Sequence, residues 1–245
     1  MAIEFKKTGY KGHTPEIWRG ECKMLPGGFK PKNKISTGTV LNRGTLAQVF
    51  FDTMEAAVIK LATVLSGGTT SKPRVGKGHL FAAGDIVSKV GKDDKSVSVS
   101  SIDTSNAEYD VLNLSAAISG LAANDVLVES VEYGYIDAES GDSGALKIVA
   151  SDASDGEIAL ASVTPYLGEK TLQANDYVVL QKAKPLYTPN MVVGAVKEFN
   201  GKGLPTIDAA YEAVVLYPSL NFTVLPEWLN GCFLKSNPNI LFIKQ

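Results

Sequence analysis

Short apolar runs broken by polar turns set the pattern of this chain, and one phrase stands out among them. Leu80-Phe81-Ala82-Ala83-Gly84-Asp85-Ile86-Val87 has two looser copies, Leu121-Ala122-Ala123-Asn124-Asp125-Val126-Leu127 and Leu172-Gln173-Ala174-Asn175-Asp176-Tyr177-Val178. In each, an apolar residue and an alanine lead to Gly or Asn, then Asp, then β-favouring residues. Gly84, Asn124 and Asn175 tolerate the left-handed region, and the carboxylates of Asp85, Asp125 and Asp176 can accept nearby backbone N–H groups. Val, Ile and Tyr then suit a pleated, half-buried surface. The phrase therefore reads as a strand entry, a structural turn. Its uneven spacing excludes a solenoid period.

The rest of the pattern is also mostly β. Residues 95–102 alternate polar and apolar, as a strand with one wet face does, and Gly91-Lys92-Asp93-Asp94 supplies a hairpin turn before them. Residues 35–46 read as short strands around Gly38 and Gly44. Strands are expected within 126–135 and 145–150, separated by the acidic loop 137–144 and followed by the loop 151–156. Residues 106–120 carry Ser115 as a cap for one helical turn. Pro185 and Pro189 mark a crossover, because proline donates no ladder hydrogen bond. Asn200-Gly201-Lys202-Gly203 reads as a turn, and strand-like runs follow at 211–225 and 240–244. Leu225-Pro226-Glu227-Trp228-Leu229 reads as one helical turn with proline near its start. At 52–65 the periodicity favours a helix, since Met54, Ala57, Val58, Leu61 and Leu65 share a helical face. β-branched Val58, Ile59, Thr63 and Val64 argue the other way.

The first 38 residues differ. They hold six glycines and three prolines, and their apolar residues follow neither period. Aromatic Tyr10, Trp18 and Phe29 argue against plain disorder. The expectation is an extended arm lying along its own body or a partner. Charge supports that reading. Residues 1–44 carry nine Lys or Arg against three Asp or Glu, and the remaining fifteen against twenty-three complete the net charge of −2. A basic arm on an acidic body suits a partner of opposite polarity.

The expected fold class is thus mainly β, a β-sandwich or β-barrel-like body with an extended N-terminal arm and minor helix. The expected division is 1–38 as the arm, 39–103 plus 184–245 as the core domain, and 104–183 as a second subdomain or insertion. Cys22 and Cys232, near opposite ends, make no disulfide framework. Ile3 and Phe5 run straight into Lys6 and Lys7, which is no signal-peptide core. No apolar run reaches the ~20 residues of a spanning helix.

Chemistry-bearing motifs are sparse. Of the two histidines, His13 lies in the arm and His79 just ahead of the first core phrase, and no Gly-x-Ser-x-Gly elbow accompanies them. Val75-Gly76-Lys77-Gly78 lacks the Ser or Thr and the upstream glycine of a phosphate loop. Asp137, Glu139, Asp142, Asp152 and Asp155 sit in loops without the spacing of a calcium site. The cysteines and histidines lack zinc spacing. The arm has cations and aromatics but no nucleic-acid reading module. No catalytic residue, metal site or cofactor is expected, and the chain reads as a non-enzyme.

The order of phrases carries a resemblance. Gly38-Thr39-Val40-Leu41 with Gly44-Thr45 comes first, then Val58-Ile59-Lys60 and Gly67-Gly68-Thr69. Gly84-Asp85-Ile86-Val87, Ser101-Ile102-Asp103, Pro189-Asn190 with Gly194, Leu225-Pro226 and Ile240-Leu241-Phe242-Ile243 follow. Over residues 35–245 this resembles the head-fibre and capsid-decoration (auxiliary capsid) proteins of tailed bacteriophages, particularly gut Bacteroidales phages including the crAss-like ones. The resemblance implies a β-rich structural protein made in the host cytoplasm and carried on the outer capsid surface of the virion. Its partner would be the major capsid protein, joined by other copies of itself or a head fibre, with no membrane and no direct nucleic acid. Residues expected at the capsid contact are Lys6, Lys7, Tyr10, Lys11, Trp18, Arg19, Phe29 and Lys30. The alternative is an adhesion module of a head fibre that binds host-surface glycan or protein, with Tyr133, Tyr135 and Tyr166 as candidate contacts and 104–182 as the added part.

Overall fold

The structure is a computed structural model that describes residues 18–25, 28–91, 95–163, 172–200, 206–217, 220 and 224–244. Among these the fold is mainly β, with helix confined to short 3-10 turns. Pro226–Trp228 is one of them, with the proline at its start as expected.

Three sheet systems build the body. The largest sheet has nine strands and draws on both ends of the chain. Its centre pairs Glu55–Val58 with Leu46–Phe50, then Met191–Val193, Ala209–Leu216 and the closing Asn237–Ile243. The second is a closed barrel of six strands, Leu61–Leu65, Arg74–Gly76, Ile86–Lys89, Val97–Asp103, Tyr109–Leu114 and Val126–Glu129. A four-stranded sheet follows, made of Gly134–Ala138, Leu146–Val149, Glu157–Ala159 and Tyr177–Gln181. Thr39–Leu41 and Lys197–Phe199 add a separate two-stranded pair.

Burial follows the side-chain alternation of strands. Val192, Ala213 and Val215 point from the large sheet into one core with Ile59, Leu61, Val128 and Trp228. Met191, Val193, Val49 and Val58 point the other way, into a core with Phe29, Leu41 and Ile207. Burial on both faces explains why Met191-Val192-Val193 is continuously apolar. Val75, Val87, Val99, Leu112 and Leu127 fill the barrel.

Several expectations are corrected. The 52–65 stretch is no helix: Glu55–Val58 is a strand of the large sheet and Leu61–Leu65 a strand of the barrel. A helix would bury one stripe, whereas Ala56, Ala57, Val58, Ile59, Lys60, Leu61 and Ala62 are all buried. Surroundings on every side favour strand, where β-branched residues pack well. Ser115 caps no helix. It follows the strand Tyr109–Leu114, and its Oγ accepts the Ser98 N–H at 3.1 Å. The sheets also divide the chain differently from the three expected segments. The 103/104 boundary falls between Val97–Asp103 and Tyr109–Leu114, which pair antiparallel in the barrel. Within the supposed arm, Trp18–Met24 pairs with Ala209–Leu216, and Phe29 is buried. The turns expected at 91–94 and 200–203 lie largely outside the described residues, as do Phe222 and Thr223 of the strand-like run at 211–225.

The repeated phrase does what its chemistry predicts. Asp85 Oδ2 accepts the Ala82 N–H at 2.7 Å, Asp125 Oδ2 accepts that of Ala122 at 2.7 Å, and Asp176 Oδ2 that of Gln173 at 3.0 Å. Each aspartate N–H bonds back to the carbonyl of the same partner. The residue before each aspartate is left-handed, with φ of 94° at Gly84, 71° at Asn124 and 78° at Asn175. A strand starts directly afterwards, at Ile86, Val126 and Tyr177. Glu139 and Asp142 form the same reciprocal turn with Gly141 at the left-handed position.

Asp176 has an exposed turn and therefore reports the device alone. Asp176→Ala is expected to lower stability by about 1 kcal/mol, the net worth of such a bond. Asp176→Asn, which keeps an acceptor, should lose less. Urea unfolding of the full chain measures both; equal, negligible losses would refute the role.

Candidate functional site: a buried lysine between two carboxylates

The large sheet passes into the barrel through Ile59 and Lys60. Lys60 has apolar residues on both sides, so the strand geometry that buries Val58 and Leu61 buries it too. Its side chain is 0% exposed. Nζ lies 2.7 Å from Asp85 Oδ2 and 3.2 Å from Glu129 Oε1.

Each partner is delivered by the fold. Val126–Glu129 lies between Leu61–Leu65 and Ile86–Lys89 in the barrel. The start of Leu61–Leu65, the end of Val126–Glu129 and the entry to Ile86–Lys89 therefore meet at one rim. The Glu129 N–H bonds the Lys60 carbonyl at 2.9 Å, fixing the backbone of that pair. Asn33 closes the cluster from the large sheet. Its amide mimics a strand, accepting the Val58 N–H at 3.0 Å and donating to the Val58 carbonyl at 2.9 Å. The same Nδ2 reaches Glu129 Oε2 at 2.9 Å.

Electrostatics follow from this placement. Burial pushes the Glu129 carboxyl above its usual range, while Lys60 and the Asn33 amide oppose the shift. Chemically the cluster offers an amine, a carboxyl held by a backbone N–H, and a second carboxyl able to carry a proton.

A second polar group lies nearby. His79 Nδ1 accepts the Phe81 N–H at 3.2 Å, and Nε2 faces Asp110 Oδ2 at 3.3 Å. Lys77 Nζ holds the other oxygen of Asp110 at 2.6 Å. Burial lowers the His79 pKa, with Asp110 opposing. The imidazole borders a pocket of about 110 Å³ shared with Asn42, Thr45 and Thr63.

The residues singled out in the sequence fall in different places. Asp85 belongs to the buried cluster. Gly84 shapes its turn, and the Asn124-Asp125 and Asn175-Asp176 turns shape their own strand entries without joining it. Asp125 is also 2.5 Å from Lys89 Nζ. Lys6, Lys7, Tyr10, Lys11 and His13 lie outside the described residues, as does Tyr166. Trp18 and Arg19 belong to a strand, their side chains outside the description. Phe29 is corrected: at 2% exposure its ring belongs to the protein's own core and reaches no partner. Lys30 is exposed. The cations around it are engaged at home, Lys32 with Glu55 at 2.7 Å and Lys34 with the Ala83 carbonyl at 2.9 Å. Cys22 and Cys232 are free thiols.

Sequence reasoning passed over Lys60, Glu129 and Asn33 as site residues. A signal did exist for two of them. Lys60 interrupts Ala56-Ala57-Val58-Ile59 and Leu61-Ala62, and Glu129 ends Val126-Leu127-Val128, so each is a charge where a buried strand requires none. Comparison of the chain with protein-family models, curated proteins and solved structures returned no match.

Two outcomes follow. Asp85→Ala removes the same turn bond as Asp176→Ala but also strands a buried ammonium, so it should cost about 3–5 kcal/mol. Losses of the same size at both positions in urea unfolding would show that the Lys60 contact contributes nothing. For His79, the unfolded chain binds a proton more readily than the folded one. Stability is therefore complete above the ordinary imidazole pKa of 6.5 and falls as pH drops through that value toward the lowered one. Thermal unfolding from pH 8 to 5 should show this slope, and His79→Gln should flatten it.

Proposed function

We propose that the protein is a structural component of a phage virion that binds the outer capsid surface and decorates or stabilises the shell. The resemblance in phrase order supports this reading. One surface feature carries it furthest. Phe51 and Met54 stand exposed, 56% and 52%, at the tip of the hairpin joining Leu46–Phe50 to Glu55–Val58. Phe51 rests edge-on against buried Phe29, ring centroids 6.1 Å apart, so the tip is braced from within. Exposed Lys30 runs beside it, its N–H bonded to the Met54 carbonyl at 3.0 Å.

Two large apolar side chains beside a cation make a compact contact of the kind that dominates protein interfaces. Met54 is also left-handed, with φ of 52°. A non-glycine residue there costs roughly 1–2 kcal/mol, which a purely structural turn would avoid by using glycine. The major capsid protein is the partner this reading assigns. The ring contact of Phe51 with Phe29 and the Lys30 bond to the Met54 carbonyl tie the tip to the body, which favours a cement over a tether.

Phe51→Ser with Met54→Gly should leave thermal unfolding unchanged or slightly higher while reducing co-sedimentation with major-capsid-protein shells about tenfold or more, the weight of roughly 1.4 kcal/mol. Full decoration by this folded variant would exclude the tip. Removing residues 1–17 from the otherwise intact chain separates the contribution of Lys6, Lys7 and Lys11. If neither change affects decoration, and wild type itself fails to join shells, the adhesion reading takes over.

A further inference from the structure

We propose that Lys60 and Asp85 become joined by an intramolecular isopeptide bond, with Glu129 carrying the protons. The proposal rests on the buried cluster and is independent of the capsid reading. Three observations support it. The amine lies within hydrogen-bonding distance of the carboxyl it would attack, at 2.7 Å from Oδ2, in a site where Lys60 is 0% exposed. The same Oδ2 accepts the Ala82 N–H at 2.7 Å, the placement that stabilises an oxyanion during acyl transfer. A third group, Glu129 Oε1, lies 3.2 Å from the nitrogen, and its other oxygen is pinned by Asn33.

The step balances as a dehydration. The step begins with transfer of one proton from Lys60 Nζ to the Asp85 carboxylate across the 2.7 Å contact, which leaves an amine facing a carboxylic acid. The nitrogen lone pair attacks Asp85 Cγ, and the carbonyl electrons move onto the oxygen held by Ala82. Glu129 takes the proton that the nitrogen sheds and returns a proton to the departing hydroxyl. The C–N bond forms, the C–O bond breaks, one water leaves, and nothing is oxidised or reduced. In water this condensation is unfavourable because both groups are ionised and water competes. Here both groups are fixed together in a site closed to solvent, where positioning replaces a bimolecular encounter. Burial also raises the Glu129 carboxyl, which makes its carboxylate a better acceptor for the proton that the nitrogen sheds.

The bond would close a covalent ring across 25 positions, from the exit of the large sheet to the turn that starts Ile86–Lys89. The barrel rim could then not open by separating these elements.

Intact mass spectrometry of the purified, denatured full chain tests this. The expected result is a mass one water below the sequence value, with a digest yielding a branched peptide that joins Lys60 to Asp85. Asp85→Asn should give the same product mass as cross-linked wild type, because it releases ammonia in place of water. Glu129→Gln should remain largely at its full sequence mass, and Lys60→Arg entirely so. Folded wild type that keeps its full mass after prolonged incubation would overturn the proposal, leaving an ion cluster only. So would water loss without the branched peptide. Glu129→Gln cross-linking as fast as wild type would overturn the role given to Glu129.

Discussion

A lysine placed where the chain crosses from one sheet into another must be neutralised on the spot. Lys60 is shut off from water, because residues 56–62 are all buried. An isolated buried ammonium costs far more than any single contact returns. The fold answers by bringing Asp85 and Glu129 to the same barrel rim and by bracing Glu129 with Asn33 from the large sheet. The relative position of sheet and barrel is thereby specified by charge as well as by packing. Ile59, Leu61 and Val128 supply the packing in the same shared core. An apolar residue at position 60 would permit sliding of one element on the other; the charge accepts few arrangements.

The turn that presents Asp85 is an all-purpose part put to a special use. In the Asn124-Asp125 and Asn175-Asp176 copies, the carboxylate ends a loop and starts a strand. In the Gly84 copy it also meets the buried amine. The difference lies in surroundings rather than in the turn itself, since all three share the reciprocal hydrogen bonds and the left-handed residue. Recurrence of one local solution in a chain of short strands has an economical cause. Strand entries need a sharp reversal, a satisfied N–H and a left-handed position, and few residue types supply them together.

The N-terminal segment shows how local composition misleads. Glycines, prolines and lysines suggested an extended arm lying along its own body or a partner; in the described part Trp18–Met24 and Lys30–Pro31 pair within the large sheet, and Phe29 is part of its interior. Lys23 pairs with Glu212, and Lys32 with Glu55. Two of the five cations of residues 18–38 are thus complemented by carboxylates of the body, where the acidic excess is. What faces outward at this edge is the braced hairpin tip of Phe51 and Met54, which no periodicity would single out.

Local chemistry fixed the mainly β class, the strand entries after Gly84-Asp85, Asn124-Asp125 and Asn175-Asp176, and the single turn at Pro226. These depend on backbone conformations and hydrogen bonds within a few residues, so they are legible in the sequence. Tertiary structure decided whatever depends on distant neighbours. The 52–65 stretch has helical period, but Glu55–Val58 and Leu61–Leu65 each pair with neighbouring strands, and strand pairing overrode the period. The barrel joins Val97–Asp103 to Tyr109–Leu114 across a boundary that the resemblance had implied. Lys60, Asp85 and Glu129 are separated in sequence, and only the pairing of three barrel strands brings them to one rim. Their charges were visible in the chain; that they would share a buried site was a matter of register, which no single segment contains.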